Sequence, residues 1–173
     1  FLPLIVSEIE DMSVAGGVRG EASGWNYDLS LIHGENSFDF NVENSFNTSF
    51  GQASQRRFYA GGLRYGQTTA NLDVQREFDI GIGSGISFAF GGEYRNENFR
   101  VIAGEPQSYV GGPFFLSNGA QSGAQVFPGF QPANEVDASR NSWAAYVELE
   151  SDLSDMLTLQ LAGRYEHYSD FGN

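Results

Sequence analysis

Apolar and polar residues alternate along several short segments of the chain. Trp25, Tyr27, Leu29 and Leu31 alternate with Asn26, Asp28 and Ser30. Trp143, Ala145, Val147 and Leu149 alternate with Ala144, Tyr146, Glu148 and Glu150, and Leu157, Leu159, Leu161, Gly163 and Tyr165 with Thr158, Gln160, Ala162, Arg164 and Glu166. A period of two places one set on each face of a β-strand. The pattern predicts about six strands, near 13–21, 25–35, 67–78, 86–101, 141–151 and 156–168. Each has one greasy face and one charged or hydrogen-bonding face. In a soluble sandwich the greasy face meets a second sheet; in a transmembrane barrel it meets lipid, and the polar face lines a wet lumen.

The spacing of the segments separates these two cases. Ala22-Ser23-Gly24, the Gly-rich 79–85 stretch and Asp152-Leu153-Ser154-Asp155 are short turns. Residues 36–66 and 103–140 are long connections, and they fall on every second gap. Long connections are uncommon in compact domains unless they serve a function. In an up-and-down meander every second connection lies at the same end, and outer-membrane barrels pair short periplasmic turns with long extracellular loops. Aromatics also sit near predicted strand ends, among them Trp25, Phe78, Tyr94, Phe99, Trp143, Tyr165 and Tyr168, where interfacial girdles would place them. The expected fold is all-β: an antiparallel up-and-down meander forming a partial transmembrane β-barrel segment.

Composition agrees and narrows the function. Twenty-two glycines and fifteen phenylalanines in 173 residues suit turns and exposed rings. No stretch approaches the length of a membrane-spanning helix, which leaves strands as the way across a bilayer. The net charge of −13 argues against a phosphate-backbone partner, so no nucleic acid is expected. The absence of Cys excludes disulfides and thiolate chemistry.

Several stretches then resemble the barrel of TonB-dependent outer-membrane receptors: residues 17–36, 58–81, 87–109, 124–153 and 161–173. They carry Gly92-Glu93-Tyr94-Arg95, Gly104-Glu105-Pro106, Phe127-Pro128-Gly129-Phe130 and the closing Gly163-Arg164-Tyr165-Glu166 run. The resemblance implies an outer-membrane protein of a Gram-negative bacterium that takes up a nutrient of the siderophore, cobalamin or oligosaccharide class, with energy supplied through TonB. It also exposes departures. Residues 1–173 read as a single barrel segment with no plug domain and no TonB box. About six strands stand against the roughly 22 of a full transporter, so TonB would act only through parts absent here. The expected partners are outer-membrane lipid and the nutrient of the parent receptor.

Catalytic chemistry is not expected, and neither is a cofactor or a metal. His33 and His167 are the only histidines and lack identifiable ligand partners; His167 reads as a rim histidine. Glu135, Asp137, Asp152, Asp155 and Asp170 read as solvated or lumen-facing acids. Tyr109, Phe114, Phe115, Phe127 and Phe130 lie in the second long connection amid Gly and Pro. Rings on such a loop can stack on a sugar or siderophore. The plainer expectation is that they pack the loop onto itself, and the same holds for Phe38, Phe40, Phe46 and Phe50. Two rival readings stand beside the receptor: a barrel-derived fragment that self-associates through open sheet edges into a filament, and a soluble carbohydrate-binding sandwich.

Overall fold

The computed structural model describes residues 2–81, 85–154 and 156–172. Six strands follow one another: β1 (Leu4–Ala22), β2 (Trp25–Glu43), β3 (Phe58–Phe78), β4 (Ile86–Ala103), β5 (Val136–Ser154) and β6 (Leu157–Tyr168). They form one sheet in the order β1-β2-β3-β4-β5-β6, an open up-and-down meander. Among the described residues there is no second sheet, so the sandwich reading has no partner layer for the greasy face.

The six strands are the expected ones, but most are longer. β1 begins at Leu4 and not near 13, β2 runs on to Glu43, β3 begins at Phe58, and β5 begins at Val136. The connections therefore shrink to 44–57 and 104–135. The cause is visible in the residues. Phe38, Phe40 and Val42 alternate with Asp39, Asn41 and Glu43, which continues the strand period. In β3 the Gly61-Gly62 pair looks like a loop. Gly61 has φ 102°, and a side chain there would meet the Ile102 carbonyl and the Phe130 ring. Glycine is needed for that close approach within a strand.

The ends of the strands follow turn chemistry. β1 and β2 are joined by Ser23 (φ 53°) and Gly24 (φ 77°), the two positive φ values that a type I′ hairpin needs. Asp152-Leu153-Ser154, expected in a turn, instead closes β5. Asp152 pairs with Thr158 across the ladder, and a register shift lies between Asp152 and Ser154. Asp155 and residues 82–84 of the Gly-rich turn lie outside the described residues. Between β5 and β6 the register sets Trp143 opposite His167, Ala145 opposite Tyr165, Val147 opposite Gly163 and Leu149 opposite Leu161. Residues of like character therefore share a face across the pair.

The chain divides into two compact units. Unit 1 takes the described residues of 1–12, 35–66 and 98–138; unit 2 takes those of 13–34, 67–97 and 139–173. Unit 1 contains both long connections together with the 3₁₀ segment Thr48–Ala53, helix α1 (Pro106–Tyr109) and helix α2 (Pro113–Asn118). Its core is Val42, Phe58, Ala60 and Ala124, with Phe40 and Phe127 packed against it. Unit 2 contains the short turns. Its buried side chains are small or polar: Thr69, Glu97, Ser142 and Ala144.

Candidate functional site

Unit 2 inverts the usual burial rule. On β5 the apolar face is open: Trp143 is 47% exposed and Val147 45%. The opposite face is covered, with Ser142 at 2% and Ala144 at 5%. β6 presents Leu157, Leu159, Leu161 and Tyr165 to the outside, β4 presents Phe90 and Tyr94, and β2 presents Tyr27, Leu29 and Leu31. A single exposed Leu is ordinary, whereas a continuous apolar face marks a surface meant for another apolar phase.

The other face of unit 2 is an ionic and hydrogen-bonded lattice. Arg140 Nε donates to Glu97 Oε2 at 2.6 Å, and its Nη1 lies 3.9 Å from Asp170. Arg95 donates to Glu93 at 2.7 Å, while Arg164 stands 3.7 Å from Glu93 and 3.6 Å from Glu166. The Tyr168 hydroxyl donates to Glu166 at 2.9 Å. A carboxylate as covered as Glu97 needs such a partner, because an unpaired buried charge is very costly. The Tyr146 ring lies against Gly91 and donates its hydroxyl to Asp73 at 2.5 Å. A cavity of about 480 Å³ opens on this face, lined in part by Arg19, Glu21, Asp28, Asp73, Gln75 and Tyr146.

Aromatic rings close the apolar face near the short turns. Trp25 meets Phe78, Phe88 and Phe90 edge-on at centroid separations of 5.9, 6.3 and 5.9 Å. Arg76 sits over both Trp25 and Phe78, 5.5 and 4.9 Å from the ring centroids. A second group joins Trp143 to Tyr165 and to His167. His167 thus packs against the Trp143 ring. His33 Nδ1 lies 2.8 Å from Thr68 Oγ1. Among the described residues no three potential ligands gather to hold a metal.

In unit 1 the two connections are built around a polar clamp. Asn47 is fully buried. Its Nδ2 donates to the carbonyls of Gln107 and Val110 at 2.9 and 2.8 Å, and its Oδ1 accepts from the Ser49 backbone N–H and hydroxyl. The Ser49 hydroxyl oxygen in turn accepts from Gly112 N at 2.7 Å. Ser45 donates to the Gln125 carbonyl, and the Ser108 carbonyl accepts from Ala124 and Gly129. Backbone carbonyls with no ladder partner need such donors when buried. At the mouth of β3, Tyr59 and Arg64 converge on Asp39. The Tyr59 hydroxyl donates to Asp39 Oδ1 at 2.7 Å, and Arg64 Nη2 reaches both Asp39 oxygens at 2.8 and 2.9 Å. Partial burial, and then the hydrogen bond to Asp39, push the Tyr59 phenol above its ordinary value.

The five loop aromatics divide into two sets. Phe127 and Phe130 contact each other and both contact Phe40, at centroid distances of 5.7, 5.4 and 5.9 Å. Phe114 and Phe115 lie on α2, 44% and 43% exposed. Tyr109 ends α1 and is half-buried. Sequence reasoning overlooked Ser49 and the Asp39–Arg64 pair, while Asn47, with Asn41 and Asn44, reads there as offering hydrogen bonds but no code. Asp39 was within reach, since its alternation with Phe38 and Phe40 marks a strand; Asn47 is one of many asparagines and carries no such signal.

A family model described as TonB dependent receptor-like, beta-barrel matches residues 10–173. No curated protein and no solved structure matches the chain.

Proposed function

From the premise that the chain belongs to the TonB-dependent receptor-like β-barrel family, we propose that it forms part of the barrel of an outer-membrane receptor for TonB-energised nutrient uptake in a Gram-negative bacterium. The observation that carries this reading is the inverted burial of β5, with Trp143 and Val147 exposed on one face and Ser142 and Ala144 covered on the other, where Arg140 pairs with the buried Glu97. Water does not stabilise such an arrangement, but lipid does. From Trp143 to Leu153 the outward band extends roughly 34 Å along β5, or about 26 Å in height at a typical tilt near 40°, against an apolar barrel band of about 25 Å. The two aromatic groups then act as interfacial girdles.

Residues 1–173 are read as one barrel segment, with the plug and the contact to TonB supplied from outside it. The nutrient, of the siderophore, cobalamin or oligosaccharide class, is contacted by the unit 1 connections. Phe114 and Phe115 are the contact rings, with Tyr109 beside them. Phe127 and Phe130 support the surface from within. The reading involves no cofactor and no catalytic step.

The test is a set of single cysteine substitutions along 157–162 in the full receptor, labelled with a fluorophore and held in vesicles of brominated lipid. Labels at Leu157, Leu159 and Leu161 are expected to be quenched, and those at Thr158, Gln160 and Ala162 spared. A lack of alternation would sink the barrel reading. A second reading, self-association, draws on the open sheet, in which β1 and β6 each have a single strand neighbour. Unpaired edges are templates for further strands. Fibres that grow in plain buffer, with uniform labelling along β6, would favour it.

A further inference from the structure

The arginines of unit 2 mostly meet carboxylates. Arg19 pairs with Asp28 at 3.2 Å, Arg95 with Glu93 and Arg140 with Glu97, and Arg164 stands near Glu93 and Glu166. Arg76 differs. Among the described residues its guanidinium meets the rings of Trp25 and Phe78, 5.5 and 4.9 Å from their centroids, and no carboxylate. Its place on β3 explains the difference. Leu72, Val74, Arg76 and Phe78 alternate with Asp73, Gln75 and Glu77, so the two sets lie on opposite faces. On one, Asp73 accepts from Tyr146 and Gln75 donates to Ser87 at 3.1 Å. On the other, Leu72 is 44% and Phe78 37% exposed. Arg76 therefore belongs to the outward apolar band.

A cation in such a band is costly at the bilayer midplane and tolerated near its surface. The Arg76 guanidinium lies at the strand end. Phe78 closes β3, and a Cβ on Gly24, in the turn between β1 and β2, would stand 3.6 Å from Arg76 Cζ and Nε. The side chain thus reaches the level of the short turn, as arginines do at an interface. Trp25 has Phe78, Phe88 and Phe90 edge-on around it, which fixes the ring surface on which the guanidinium rests. Ring contact engages the charge and leaves the N–H fork for an oxyanion.

We infer that Arg76, seated on Trp25 and Phe78 at the short-turn end of the outward band, binds the phosphodiester of a phospholipid whose acyl chains lie against that band. The inference rests on the reading of the band as lipid-facing. A guanidinium fork matches phosphate oxygens and gains charge-assisted hydrogen bonds from them. The apolar surroundings favour lipid over free phosphate. A chain of net charge −13 repels a small anion, and a guanidinium among rings does not replace the hydration that such an ion loses. A phospholipid offsets both costs by keeping its acyl chains on the band.

The experiment uses the full receptor that carries this chain, in detergent, with a phosphatidylglycerol bearing a photoreactive diazirine high on one acyl chain. Crosslinks are mapped by peptide mass spectrometry and are expected at 22–27 and 72–78. Unlabelled phosphatidylglycerol should displace the probe there about tenfold or more effectively than diacylglycerol, which lacks the phosphate, on the scale of one charge-assisted hydrogen bond. Inorganic phosphate should not displace it. Arg76→Gln abolishes the advantage of the phospholipid and Arg76→Lys keeps part of it. Arg57→Gln, at a residue that pairs with Glu43 in unit 1, leaves it intact. No crosslink at these peptides, equal competition by diacylglycerol, displacement by inorganic phosphate at the same concentration, or an advantage that survives Arg76→Gln would each overturn the site. The alternating quenching along β6, measured on the same proteins, reports on the barrel. If it persists in the native receptor while the phospholipid shows no advantage, only the site falls; if it is absent there, the receptor reading falls first. If it is lost in Arg76→Gln alone, the native receptor and Arg76→Lys decide the matter.

Discussion

Units 1 and 2 draw on the same strands but are stabilised in opposite ways. Unit 1 has an interior of its own: Val42 and Ala60 are fully buried, Phe58 nearly so, and Asn47, Ser45, Ser49 and Ser108 are buried beside them with their hydrogen bonds made. Unit 2 has almost no apolar interior, and its large apolar side chains face outward. The first is organised by what it encloses, the second by the phase around it. One chain can hold both solutions because the period-two pattern only separates two faces; it does not say which face is inside.

Three experiments break or sharpen this contrast. The largest effect is expected for Asn47→Ala. It removes the donors to the Gln107 and Val110 carbonyls and the acceptor for Ser49, and each buried group left unpaired costs about 1–3 kcal/mol. A loss of roughly 3 kcal/mol or more is expected, confined to unit 1. Hydrogen exchange should quicken at 104–112 while the β5–β6 ladder stays protected. Equal quickening in β5 and β6 would show that the two units do not stand on separate supports.

Next comes Leu159→Arg on the outward band. In a bilayer it should cost about 2–4 kcal/mol if the site lies near the midplane. Gln160→Arg, on the opposite face, should cost much less. Refolding equilibria in lipid vesicles give both values, and equal costs would remove the distinction between the two faces.

The smallest effect concerns Tyr59, in unit 1 and outside the band. Its folded-state pKa lies above the ordinary phenol value through burial and its hydrogen bond to Asp39. A group raised in this way contributes stability that is complete below its unfolded pKa, near 10, and is lost as pH rises through the folded value. Urea midpoints should therefore fall more steeply above pH 10 in the native protein than in Tyr59→Phe. Parallel slopes would remove Tyr59 from the support of the loop region.

Much of unit 2 was legible in the sequence. The alternation from Trp143 to Glu150 and from Leu157 to Glu166 shows two strands, two faces and the pairing partner of each face. Unit 1 was less legible for two reasons. Phe38, Phe40 and Val42 do alternate, but the surrounding Asn and Ser residues disguise a strand as a loop. The Gly61-Gly62 pair imitates a break, although Gly61 marks the place where the Ile102 carbonyl and Phe130 approach the strand. Of the five loop rings, Phe127 and Phe130 contact Phe40. That Phe114 and Phe115 stand outward on a short helix had no signature in spacing.

The sequence by itself determined that this chain is a meander of amphipathic strands, that Ser23-Gly24 turns β1 into β2, and which residues share a face. Those properties follow from local geometry, since successive side chains of a strand point to opposite sides whatever surrounds it. Only the tertiary structure decided which face is covered, how far the strands run, and that Asn47 ties one connection to the other. Burial and long-range hydrogen bonds depend on residues distant in sequence, and nothing in a local pattern specifies where a carbonyl some sixty positions away will lie.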